Sequence, residues 1–193
     1  MTDEGFKAPH LYQVEDGWIE LRSGQKFHFR SPDPALIDIE DIAAALSKLC
    51  RYNGHTREFY SVAEHSCHVM RHARSYVTPI HRSLLTALMH DAAEYVMADL
   101  PRPIKQTLPL YSEIELGLER VIAERFGLLT PPWPRWVKEL DTRILVDERA
   151  QCMSDSGNEW GIDGLEPLGV EIRFWTPSEA EDNFLEDFYE LTR

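Results

Sequence analysis

The chain has 193 residues, 43% of them apolar and 27% charged, the size and mixture of one globular domain able to bury a core. Its formal net charge of −13 argues against gripping a nucleic-acid polymer, which needs a basic surface to displace counterions. A small phosphate ester in a cleft stays allowed, because a bound cation can dominate the local field. No run approaches the roughly 20 apolar residues of a membrane helix. The opening MTDEGFKAPH lacks the basic start and apolar run of a signal peptide. Cys50, Cys67 and Cys152 lie far apart with no CxxC pair, so neither a disulfide framework nor a cysteine metal site is expected. The expectation is a cytoplasmic protein with no membrane partner.

In chain order, residues 18–29, WIELRSGQKFHF, predict a β-hairpin around Ser23-Gly24. SPDPAL follows as a loop. Ile39, Ile42, Leu46 and Leu49 recur at helical spacing from Asp38 onward, and Asn53-Gly54 breaks the pattern. Ser61-Val62-Ala63-Glu64 is the pattern of a capping box, which starts a second helix near Val62. Pro79 marks that helix's end or the start of the next. Residues 82–97 predict a third helix, apolar on most sides and therefore buried. Leu100-Pro101-Arg102-Pro103 reads as a rigid loop. A fourth helix is expected over 112–126, stopped by Gly127, and a fifth over 135–153. Residues 154–175 are Gly-rich and irregular, with a strand at VEIRFW. Thr176-Pro177-Ser178-Glu179 is a second capping-box pattern, and the last helix carries Phe184, Phe188 and Leu191 on one face. The expected architecture is one mostly α domain over 1–193. It has a helical core at 38–153, a hairpin at 18–29 and a C-terminal extension at 154–193.

His90-Asp91 falls in the most buried-looking helix. Two ionisable groups there are expensive unless they are paired or bind a metal. Adjacent helical residues point about 100° apart, so further ligands must come from other helices. His65, just inside the second helix, and Asp141, early in the fifth, are the candidates. Imidazole nitrogens with carboxylate oxygens suit Zn²⁺, Mn²⁺, Fe²⁺ or Co²⁺, with Mg²⁺ as the harder alternative. A divalent ion with an open position acidifies a bound water into a nucleophile. Taken singly these signals are modest. A lone His65 also reads as a helix-end or core histidine, and a lone Asp141 as a solvated carboxylate.

The surrounding text resembles the HD-domain metal-dependent phosphohydrolases, in particular the YfbR-like 5'-deoxynucleotidases and their phage and bacterial relatives. SVAEHS resembles the stretch around the first family histidine, His65. LMHDAAEYVMADLPRPIK resembles the next stretch and places His90, Asp91, Glu94, Asp99 and Lys105. LDTRILVDERA resembles the last and places Asp141, with Glu148 seven residues on. RYNGHT resembles an arginine-aromatic pair and places Arg51 and Tyr52. The resemblance covers about residues 38–153. One departure is Tyr52, where the YfbR-like enzymes carry a tryptophan that favours deoxyribose.

The resemblance implies an all-α HD-domain core that self-associates and hydrolyses a phosphate ester of a nucleotide. Glu94, one helical turn beyond His90, is then a proton-transfer residue. Asp99 positions water or protonates the departing oxygen. Arg51 and Lys105 bind phosphate, with Arg102 as a further cation, and Tyr52 stacks on base or sugar. A (deoxy)nucleoside 5'-monophosphate is the first expectation. A (deoxy)nucleoside triphosphate losing its whole triphosphate is the second, and it would require more cations. A non-catalytic nucleotide-binding regulatory module is the alternative of another class. His68 and His72 share a face with His65 but read as structural, Glu148 reads as the holder of an arginine or of the site's edge, and His55 and His81 carry no assignment.

Overall fold

The computed structural model describes residues 17–76 and 80–193, so the expectation placed on Pro79 lies outside the described residues. Among the described residues the chain forms eight α-helices and one small two-stranded sheet, the all-α class with a hairpin expected from the sequence. β1 (Ile19–Glu20) pairs antiparallel with β2 (Lys26–Phe27), Ile19 facing Phe27. Gly24 takes φ 82° in the connecting turn, a conformation that costs glycine little. The paired stretch is shorter than the run at 18–29 suggested. Its turn is held instead by Asp41, which accepts from the Ser23 amide at 2.9 Å and hydroxyl at 2.7 Å.

α1 (Ile39–Leu46) starts at Asp38, whose carboxylate accepts from the Glu40 amide and so satisfies one orphan donor of the first turn. α2 (Val62–Tyr76) packs against α3 (His81–Leu88) and α8 (Pro177–Thr192), and α8 also touches α1. Ile42, Leu46, Val69, Met70, Leu88 and Phe184 are buried within one continuous apolar cluster. The apolar face of the last helix therefore closes the protein's own core. Arg71 on α2 fastens it further, donating to Asp187 at 2.9 Å and Asn183 at 2.8 Å on α8. α6 (Pro109–Phe126) begins earlier than expected, with proline at its first position, where the missing amide donor is harmless. It ends at left-handed Gly127. α7 (Arg135–Cys152) runs as expected.

Three local differences shape the site. The helix expected over 82–97 is broken: α3 ends at Leu88, and α4 (Glu94–Met97) is a separate turn. The amides of Ala92, Glu94 and Tyr95 each reach the carbonyl three residues back, a tighter winding than an α-helix. His90 and Asp91 thus sit on a turn, not in a helix interior. All-round apolar residues signal burial but carry no cue for such a break. Second, Arg102–Lys105 forms one helical turn, α5, where a loop was expected.

Third, no strand forms at 170–175. Side chains replace the neighbouring strand: Gln151 donates to the Val170 carbonyl and accepts from the Ile172 amide, both at 2.9 Å. The buried Glu64 carboxylate accepts from the amides of Arg173, Phe174 and Trp175 at 2.7, 3.0 and 2.7 Å. The first capping box is accordingly only half made. Ser61 Oγ accepts from the Glu64 amide at 3.1 Å, but the Glu64 side chain is spent on the extension. The second box, Thr176 with Glu179, is complete. Among the described residues no helix is long and apolar enough to cross a membrane.

Candidate metal centre

Three elements bring four donors together. His65 comes from α2, His90 and Asp91 from the turn after α3, and Asp141 from α7; one ligand atom of each lies within 4.8 Å of all the others. His65 Nε2 is 3.4 Å from His90 Nε2, 3.5 Å from Asp91 Oδ2 and 3.3 Å from Asp141 Oδ1. His90 Nε2 is 3.2 Å from Asp91 Oδ2 and 3.9 Å from Asp141 Oδ1. Donors bound at about 2.0–2.2 Å to one ion must stand roughly 3–4 Å apart. The spacing therefore fits a single small divalent cation.

The ring orientations support the same reading. His90 Nδ1 lies 2.8 Å from the Ala87 carbonyl, which can only accept, so Nδ1 carries the proton. His65 Nδ1 lies 2.7 Å from Glu148 Oε1. Burial alone would raise the Glu148 carboxyl, but Arg51, His65 and the hydrogen bonds from His65 and Tyr52 outweigh it and hold it at about 2. Glu148 is thus a carboxylate, and His65 Nδ1 donates to it. With each Nδ1 donating outward, the two Nε2 atoms face one another and two carboxylates. Burial lowers both imidazoles, but Glu148 and Asp141 raise His65, and Asp91 and Asp141 raise His90 well above the usual range, so the pocket favours positive charge at the point where a cation would sit. A carbonyl or carboxylate behind each histidine is the usual support for a ligating imidazole.

Glu148 is the hub behind the donors. It also accepts from Arg51 at 3.1 Å, from Tyr60 at 2.8 Å and from Tyr52. Asp141 and Glu148 are seven residues apart on α7, two turns along one face. Arg51 and Tyr52 come from a tight turn, Arg51–Gly54, in which Tyr52 and Asn53 take φ 56° and 51°. Left-handed backbone at two such residues is uncommon and costs energy.

A cavity of about 560 Å³ opens over Asp91 and Asp141. Five carboxyl and three cationic side chains line it, the cations being Arg51, Arg102 and Lys105. Arg51 is buried, with one guanidinium nitrogen 3.8 Å from Asp91, so it is partly committed to the donors. Lys105 is held by Glu115 at 2.6 Å. Glu94 and Asp99 both face the cavity. Burial pushes the Glu94 carboxyl well above the usual carboxylate range, with Asp91 and Asp99 adding to it against Arg51 and Lys105. Its Oε2 is buried without a partner among the described residues. Burial also raises Asp99, opposed by Arg51 and reinforced by Asp91.

Seven of the nine residues singled out for chemistry line this cavity, and His65 and His90 adjoin it through Asp91 and Asp141. The other described histidines do not join them. His68 lies 3.3 Å from Glu64 and stacks on Trp175, while His55 and His81 are exposed. Two contributors were not foreseen: Tyr60, which helps orient Glu148, and Trp160, which lines the cavity from the extension and lies 5.6 Å from the Tyr52 ring. The Gly-rich stretch around Trp160 has no periodicity, and a tryptophan among small and acidic residues was its only signal.

Fold and site define a mostly helical protein with a buried two-histidine, two-aspartate group able to hold a metal ion. No family model matches the chain. It is 35% identical over 179 residues to the uncharacterized protein YfdR of Escherichia coli K12, covering 91% of this chain and 96% of that one. It is 39% identical over 192 residues to the uncharacterized protein RCAP_rcc00048 of Rhodobacter capsulatus, covering 93% and 98%. The chain belongs to the family of these two proteins.

Proposed function

We propose that the protein is a divalent-metal phosphohydrolase of the HD-domain type that removes phosphate from (deoxy)nucleoside 5'-monophosphates. The observation that supports this most is the convergence of four metal donors at the floor of a cavity that also carries cations. His65, His90, Asp91 and Asp141 would hold the ion. A divalent ion there supplies Lewis acidity toward a phosphoryl oxygen and lowers the pKa of water.

The remaining groups are suited to bind and to move protons. Arg51 and Arg102 neutralise phosphate oxygens, and Lys105, tethered by Glu115, adds a point charge. Glu94, its carboxyl raised by burial and by its acidic neighbours, is placed to donate to the departing sugar oxygen. Asp99, at the same rim, remains to orient or accept from water. A monophosphate suits the charge better than a triphosphate. Glu148 and Glu115 already engage two of the three cations, leaving little positive field for four further charges. Arg102 beside Lys105 is the one feature favouring triphosphate release.

The test is orthophosphate and triphosphate release from a panel of nucleoside mono- and triphosphates with Co²⁺, Mn²⁺, Zn²⁺ or Mg²⁺. Orthophosphate from monophosphates, lost in His90→Ala and in Asp141→Asn, is expected. Triphosphate release would move the reading to the runner-up. Silence across the panel with a metal bound would sink both and leave the non-catalytic module.

A further inference from the structure

The cavity has more wall than a phosphate needs. Its volume, about 560 Å³, lies within the range of pockets that enclose an organic ligand. The wall beyond Arg51 is aromatic. The Arg51 guanidinium lies 5.4 Å from the Tyr52 ring centroid, and the Tyr52 ring lies 5.6 Å from the Trp160 ring. Guanidinium, phenol and indole thus follow one another along the cavity wall.

The two rings are held differently. Tyr52 is fixed at its hydroxyl by Glu148 and at its backbone by the left-handed turn. Its ring is therefore a support that cannot swing far. Trp160 is half-buried, carried between Gly157 and Gly161 at φ 68° and 69°. Arg149 on α7 sits 5.7 Å from its ring centroid and donates to the Asn158 carbonyl. A large aromatic held at a cavity wall by a cation and a neighbouring ring, on a segment outside the apolar cluster, contributes little to the core. It offers a flat apolar surface to a ligand.

We propose that Trp160, backed by Tyr52, is the stacking surface for the base of a nucleotide whose phosphate lies toward Arg51 and the metal donors. This rests on the proposed nucleotide reading and names the residue that senses the base. Stacking on an indole is available to every base, because each has a π-face. The C-terminal extension would then discriminate nucleotides from sugar phosphates, while the helical core holds the phosphate end.

The probe is a nucleoside 5'-methylenephosphonate, whose P–C bond is not hydrolysed, beside the same phosphonate with hydrogen in place of the base. Equilibrium dialysis compares wild type, Trp160→Ala and Trp160→Phe, with matched melting curves. Trp160→Ala should bind the base-bearing probe about ten-fold more weakly, Trp160→Phe should restore most of the affinity, and the base-free probe should bind all three alike. Equal loss on both probes would mean that the cavity wall has collapsed, and no loss on either would mean that the base lies elsewhere; each overturns the inference. Base-dependent binding without hydrolysis of any nucleotide would defeat the hydrolase reading and leave this one standing. Hydrolysis indifferent to Trp160 would do the reverse.

Discussion

Glu148 shows how much of the site depends on a residue that touches no reacting atom. It is fully buried and serves His65, Arg51, Tyr52 and Tyr60 at once. Its hydrogen bond fixes which nitrogen of His65 faces the other donors. Glu148→Gln keeps an acceptor for one partner but removes the charge that makes His65 a strong donor and balances Arg51. Metal affinity should fall about 10–100-fold, as for other losses of a partner behind a ligating histidine, measured by competition with a chelating dye. An unchanged affinity would remove Glu148 from the metal's support. His90 and Asp91 were legible because two ionisable residues in an apolar run demand a partner, and His65 and Asp141 because the motifs around them occur in a recognisable order. Glu148 was legible as the holder of an arginine but not as the hub, since four partners from distant segments leave no local pattern. Trp160 was illegible as a site residue because nothing in an aperiodic loop says which way it folds back.

At the scale of elements, the hydrophobic period located the main helices and missed the two features that build the site. The run over 82–97 is apolar throughout, so its period could not reveal that the backbone tightens after Leu88. There, His90 Nδ1 takes the Ala87 carbonyl, and the tightened turn aims His90 and Asp91 at the same point. VEIRFW has strand composition, yet its amides are met by Glu64 and Gln151. Local propensity cannot distinguish a strand ladder from a ladder of side chains. Glu64→Gln tests this strap. An amide cannot accept at both of its terminal atoms, so one of the three backbone donors loses its partner. The expected cost is about 1–3 kcal/mol, read from urea unfolding, with faster hydrogen exchange at residues 173–175. Unchanged stability and exchange would show that the strap is held by packing alone. Because Trp160 lies in the same extension, a loosened strap should also weaken the base-bearing probe more than the base-free one.

For the whole molecule, the charge of −13 and the chemistry of the cavity point the same way. A surface this acidic repels long polyanions, while a buried ion and a few cations can still attract a small dianion into a partly enclosed space. The helical core carries the metal donors, and the C-terminal extension completes the cavity wall that a substrate would meet. This division explains why the core was readable from the sequence and the extension was not. Two of the four donors, His65 and Asp141, lie on long periodic helices, and the other two lie on a turn directly after one, whereas the wall is supplied by an irregular segment tied down by a few buried side chains.

His65, His90, Asp91 and Asp141 are placed to form one cation site. The most direct test is a titration of chelator-treated protein with Co²⁺, followed by visible absorption, for wild type and His90→Ala with both melting curves recorded. Wild type should saturate at one equivalent per chain, with the weak bands of a five- or six-coordinate nitrogen and oxygen environment, and His90→Ala should show no saturable change at the same concentrations. Failure of wild type to saturate, or an identical spectrum and endpoint in folded His90→Ala, would contradict the metal centre and everything argued from it.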